Sequence, residues 1–292
     1  MQFRPGTPAG AAGRSREIAA MSRWVCPFCD RGCARRAGAL GPGEAGRPSG
    51  CRAAAWGVPQ RTAWVRVDRE LDLFLALSRR GRPIDVGLDG TSSLGHVVEA
   101  LGVPLPEVGL LLVNGSPRPP AYRPRAGDTV QVRVVSRPQP LPMHPPRFLL
   151  DVHLGTLARR LRLLGLDVAY RNDADDDELV TQAAGENRFL LTRDRGLLRR
   201  RALAHGAYVR GAGTDAQLRD VLDRFRPPTD PFSRCLLCNG RLSAVPKHDV
   251  AQLLEPGTRR TATEFARCGD CERVFWRGAH ARRLDEIVAG RG

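Results

Sequence analysis

A chain of 292 residues, 42% of them hydrophobic, is long enough for two or three domains that each bury a core. It has no apolar run near the roughly 18 residues of a membrane span, and its first twenty residues lack the roughly 7 to 15 apolar residues of a secretory signal. A membrane protein is thereby excluded, and a cytoplasmic one is expected. The formal charge of +15 points to a polyanionic partner, although Lys247 is the only lysine and so strong an arginine bias fits coding composition as well as phosphate contacts.

Residues 1–60 are rich in Gly, Ala, Pro and Arg and show no period, so a flexible segment is expected, with Met21 as an alternative start to Met1. Residues 61–137 are patterned. Trp64 to Val67 and Asp85 to Leu88 read as strands, Ser92 can cap a helix that ends at Gly102, and strands follow at Leu110 to Val113 and Thr129 to Val135. Strand, strand, helix, strand, strand is the order of a β-grasp domain, and the stretch resembles the ubiquitin-like and sulfur-carrier folds. It lacks their exposed Gly-Gly tail, which leaves binding or docking, to a protein partner for instance, as its expected role.

Five prolines make residues 138–146 a stiff linker without regular structure. Residues 147–230 then read as βαβαβαβα: strands at Phe148 to Leu150, Asp167 to Arg171, Arg188 to Thr192 and Ala207 to Val209, with helices between them, one over about Gly196 to Ala204, and a last helix over Asp215 to Phe225. Alternation of this kind predicts a parallel sheet whose strands end along one edge. Each of the first three strands stops at acidic residues: Asp151; Asp173, Asp175, Asp176 and Asp177; and Asp194. Carboxylates converging on one edge repel one another unless a cation or protons neutralise them, so a Mg²⁺ or Mn²⁺ site for phosphodiester hydrolysis is expected. The competing account of the aspartates after the second strand is helix capping. Arg159, Arg160 and Arg195 are candidates for the phosphate backbone, or else members of solvated helix faces, and His153 is a surface histidine, a base or a substrate contact.

The eight cysteines fall into two groups of four. In residues 231–292, Cys235, Cys238, Cys268 and Cys271 form two Cys-x-x-Cys knuckles suited to a structural, tetrahedral Zn²⁺. Past the second knuckle, Phe275, Trp276, Arg277, His280, Arg282 and Arg283 can stack on RNA or pack on the ribbon. Near the N-terminus, Cys26, Cys29, Cys33 and Cys51 fit a second Zn²⁺ knot, a 4Fe-4S cluster or no metal, and their spacing is similar to the cluster segment of molybdopterin oxidoreductases.

Phe148 to Gly155, Leu157 to Gly165, Arg171 to Asp176 and Leu190 to Leu198 together resemble the Mut-seven C-terminal RNase family, a branch of the PIN-like nucleases. The likeness covers residues 147 to about 283, and residues 63–137 resemble the ubiquitin-like domain often fused ahead of it. The resemblance implies an α/β architecture: a PIN-like parallel-sheet domain, preceded by a β-grasp domain and followed by a zinc ribbon. It also implies a metal-dependent ribonuclease in which Asp151, Asp176 and Asp194 bind the cation and Asp173 or Asp175 assists. The alternative is a non-catalytic RNA- or ribosome-binding adaptor.

Overall fold

A computed structural model describes residues 61–277. The cysteine group Cys26 to Cys51, the choice of start and the tail from 278 onward lie outside the described residues. Residues 62 to 134 form the expected β-grasp. Strands β1 (Thr62–Val67), β2 (Ile84–Gly87), β3 (Val108–Val113), β4 (Ser116–Pro117) and β5 (Thr129–Val134) lie in the order β2-β1-β5-β3-β4, with β1 and β5 parallel. Helix α1 (Leu94–Leu101) is capped by Ser93 rather than Ser92: the Ser93 hydroxyl accepts from the amide of His96. Its Leu94, Val97, Val98 and Leu101 cover Val65, Leu111, Val113, Val130 and Val132 on the inner sheet face. Of two 3₁₀ segments between β1 and β2, which the pattern did not announce, the first adds Leu71 and Phe74 to this core.

The second domain holds four parallel strands, β6 (Arg147–Leu150), β7 (Asp167–Tyr170), β8 (Phe189–Thr192) and β9 (Gly206–Tyr208), in the order β7-β6-β8-β9. Phe148, Leu150 and Leu191 face helices α2 (Gly155–Leu163) and α4 (Thr214–Phe225), whereas Leu149 and Leu190 face α3 (Asp176–Gly185). The chain leaves β6 toward β7 with α2 on one face, then returns past β6 to β8 with α3 on the other. Right-handed crossovers require that change of face when the strand order reverses, and they leave a crevice between β6 and β8 at the carboxyl edge. Leu157, Leu161, Leu218 and Leu222 are at most 1% exposed, and burial of each contributes roughly 1.5 to 3 kcal/mol. Gly165 ends α2 with φ +81°, and a side chain there would strike the Asp230 carbonyl.

The helix expected over Gly196 to Ala204 does not form. One 3₁₀ turn, Leu197–Arg199, stands in its place, because Leu197, Leu198 and Leu203 must all reach the α3 face while the chain runs back to the start of β9. The proline segment has no regular structure, as expected, but it is strapped down: Leu141 and Met143 join the core under α4, and Gln139 exchanges hydrogen bonds with Arg224.

After the second domain, β10 (Leu242–Ala244), α5 (Lys247–Val250), α6 (Pro256–Thr261), β11 (Phe265–Cys268) and β12 (Val274–Trp276) complete the described chain, with β10-β11-β12 an antiparallel sheet. The two helices account for the long interval between the cysteine knuckles.

Both edges of the parallel sheet are covered from outside the domain. At β9, the Glu107 carboxylate of the β-grasp domain accepts from the Tyr208 amide at 2.8 Å and from the Arg224 and Arg210 guanidiniums at 2.8 and 3.3 Å. At β7, Asn239 of the first knuckle accepts from the Val168 amide at 3.0 Å, and Arg162, itself 3% exposed, donates to the carbonyls of Val168, Leu236 and Leu237. Exposed strand edges invite pairing with other chains, and here side chains of neighbouring domains occupy them.

Candidate active site at the carboxyl edge

Asp151 follows β6 directly. Its amide donates to the Leu191 carbonyl at 3.1 Å, which fixes the residue against β8. The side chain is buried, with 4% of the residue exposed, and its carboxylate accepts from the Thr192 hydroxyl at 2.6 Å. The same hydroxyl oxygen accepts from the amide of Asp194 at 2.8 Å. Thr192 therefore joins the acidic residues that follow two adjacent strands. One oxygen of Asp194 is engaged locally: Oδ1 accepts from the amides of Gly196 and Leu197 at 2.5 and 3.2 Å and so caps the 3₁₀ turn.

The acidic group after β7 behaves largely as helix-capping chemistry predicts. Asp175 caps α3 in a reciprocal capping box with Glu178. Asp173 pairs with Arg171. Asp176 and Asp177 in the first turn both reach Arg200, at 3.5 and 2.9 Å. Asp151, Asp176 and Asp194 thus lie after three neighbouring strands on one edge, but they do not close on one another. Among the described residues, the only group of three or more metal-ligating side chains within 4.8 Å of one another is formed by cysteines.

Asp151 has fewer donors than the other buried carboxylates. Glu107 has two arginines, and Asp128 accepts from the Asn114 side chain, the Arg125 amide and the Tyr122 hydroxyl. Asp151 has the Thr192 hydroxyl and no ion pair with a described residue. A buried carboxylate is ordinarily paired or bound to metal, so the donor set at this edge, hard oxygen on two fixed strand ends, fits a small divalent cation.

Of the three arginines considered for phosphate, Arg195 donates to the carbonyls of Leu73 and Phe74 and lies 5.3 Å over the Phe74 ring, so it joins the two domains. Arg160 pairs with Asp215. Arg159 is exposed on α2, and His153 is exposed as well.

The cysteine centre is compact. Cys235 and Cys271 sulfurs are 3.7 Å apart, and those of Cys238 and Cys268 are 3.4 Å apart. Those separations exceed a disulfide bond of about 2.05 Å and approach the roughly 3.8 Å spacing set by tetrahedral Zn–S bonds of about 2.3 Å. Each knuckle is followed by a left-handed residue, Asn239 (φ +71°) or Glu272 (φ +60°), whose amide donates to the first cysteine's carbonyl at 3.1 Å. A Cβ at Gly240 would meet the Cys268 sulfur at 2.9 Å. Burial pushes the Cys268 thiol up, but the Cys271 and Asp270 amides outweigh it and bring the thiol down to about 7. Brought together in this way, the four sulfurs can hold a metal such as zinc.

Thr192 escaped the sequence reading because it looked like the last residue of an apolar strand. The available signal was a hydroxyl two residues before an aspartate at a strand end. Glu107 had no sequence signal, since its partners lie about a hundred residues away.

Residues 146–288 match the family model of the Mut7-C RNAse domain, and residues 60–140 match that of the Mut7-C ubiquitin domain. No curated protein and no solved structure matches the chain.

Proposed function

The chain belongs to the Mut7-C RNAse family, with the ubiquitin-like domain first, and from that premise we propose that it is a metal-dependent ribonuclease acting at the crevice between β6 and β8. The observation that carries the proposal is Asp151, a buried carboxylate without a cationic partner among the described residues, bridged through Thr192 to Asp194, the residue that caps the neighbouring 3₁₀ turn. Asp151 and Asp194 would hold a Mg²⁺ or Mn²⁺ ion, with Asp176 contributing from the third strand end. Such an ion supplies polarisation of the scissile phosphate and a bound water of lowered pKa. Thr192 keeps the Asp151 carboxylate in one orientation, and its acceptance from the Asp194 amide fixes where the second carboxylate starts. Asp173 and Asp175 hold the α3 turn in place. Arg159, exposed on α2, is the arginine of the original three that is available to an RNA phosphate. Zn²⁺ in the four cysteines would be structural, because all four positions are protein ligands.

The test is cleavage of single-stranded and structured RNA with Mg²⁺ or Mn²⁺ and with EDTA, for the wild type and for Asp151→Asn and Asp194→Asn. Each substitution is expected to reduce cleavage more than about 100-fold, beyond the usual range for outer-shell changes, with the melting temperature retained. Cutting in EDTA, or undiminished activity in either variant, overturns the proposal. One observation favours a second reading as an RNA-binding adaptor: Asp194, Asp175 and Asp173 are engaged locally. That reading predicts salt-sensitive RNA affinity with no metal requirement. No helix among the described residues is long and apolar enough to cross a membrane.

A further inference from the structure

Between the β-grasp domain and the α3 face of the RNase domain lies a cleft of about 600 Å³. One wall is the first two turns of α1, with His96 and Glu99; the other is the segment after β8, with Arg199, Arg200, Arg201 and His205. We infer that this cleft is the groove in which single-stranded RNA lies, and that the ubiquitin-like domain serves as one wall of the substrate site. The inference rests on the ribonuclease reading and extends it by giving the substrate its path.

Charge is the first argument. Arg199 and Arg201 are exposed and form no ion pair with a described residue, while Arg200 turns away to Asp176 and Asp177. The two remaining arginines against Glu99 attract a polyanion. The amides at the start of α1 are not involved, since those of Leu94 and Gly95 donate to the carbonyls of Tyr122 and Pro120.

Ring surface is the second argument. His205 lies stacked on Phe189, with centroids 6.2 Å apart and planes 16° apart, and His96 is exposed on the opposite wall. Imidazole and guanidinium planes interleaved along a groove suit unpaired bases, which can stack, better than a base-paired duplex.

Continuity is the third. The segment that lines the cleft, from Leu198 to Gly206, follows shortly after Asp194, and Arg195 ties that lead-in to Leu73 and Phe74 of the β-grasp domain. The cleft also takes in Phe189 and Gly206, the first residues of β8 and β9, so it runs along the β9 side of the sheet from the amino edge, and Arg200 links it to Asp176 on the acidic edge.

The experiment is fluorescence anisotropy of a labelled single-stranded RNA with the full chain in EDTA, where cleavage does not interfere, over a salt series. Arg199→Glu/Arg201→Glu is expected to weaken binding at least about 10-fold and to make the slope of log affinity against log salt shallower by about 1.4, from about 0.7 per lost contact. His96→Ala is expected to weaken it at least about fivefold. Arg66→Glu/Arg82→Glu, an equal charge change on exposed β-grasp residues outside the cleft, is expected to leave affinity within about twofold. Unchanged affinity in the first variant, unchanged affinity in His96→Ala, or an equal loss in the control each overturns the inference. Asp151→Asn and Asp194→Asn should bind as the wild type does. Loss of cutting without loss of binding therefore separates this proposal from the ribonuclease reading.

Discussion

Thr192 Oγ1 has two partners at once, donating to Asp151 and accepting from the Asp194 amide. Valine has nearly the same shape but neither capability. Thr192→Val leaves the buried Asp151 carboxylate without its hydroxyl donor and the Asp194 amide without its acceptor. The change should cost about 1 to 3 kcal/mol of stability, read by chemical denaturation, and lower metal-dependent cleavage by about 10- to 100-fold. Cleavage equal to wild type would show that the bridge only packs the turn. Asp151 was legible as a candidate because an acid at the end of an apolar run has few places to point. The aspartates after β7 were legible as a group, but local chemistry divided them: Asp175 and Glu178 satisfy each other's amides, and Asp173 pairs with Arg171.

At the scale of elements, the ribbon is more than an appended knuckle pair. Its first loop completes the β7 edge through Asn239, and Arg234 and Asn239 both bind Asp167, which also accepts from Arg188. Burial raises the Asp167 carboxyl, yet these donors outweigh it and hold the group below the ordinary carboxylate range. The knuckle geometry and the β7 contacts share residues, so loss of a metal held by the four cysteines would be felt in the RNase sheet. Replacing Cys268 by Ser, or extracting zinc with a strong chelator, is expected to lower the melting temperature and to accelerate amide exchange at Val168 without changing exchange at Leu149. Equal protection at Val168 with and without metal would show an independently hinged ribbon. The four cysteines could be read from spacing alone, whereas the docking of Asn239 on Val168 could not, because no local pattern marks a contact 71 residues away.

For the whole molecule, Glu107 decides how two domains become one body. It is fully buried, accepts from Arg224, Arg210 and the Tyr208 amide, and sits beside the contact of Phe74 with Tyr208. Removing one partner of a buried pair strands the other charge, so Glu107→Ala is expected to cost about 3 to 5 kcal/mol. It should also split thermal unfolding into two transitions, which calorimetry would resolve. A single transition with wild-type midpoint would mean that Arg195, the Phe74–Tyr208 contact and the proline strap join the domains without Glu107. What the amino-acid order determined by itself was local or nearly so. Alternation and turn residues gave β-grasp and α/β order, strand-terminal acids marked the carboxyl edge, and paired cysteines marked the ribbon, since each depends on neighbours a few residues apart. Tertiary structure alone decided that Arg195 and Glu107 bind across the domain boundary, that the stretch after Asp194 stays mostly unwound, and that the buried Asp151 carboxylate has the Thr192 hydroxyl as its donor and no ion pair with a described residue. Those outcomes depend on which distant groups reach each other first in a dense interior, where every buried charge must find a partner.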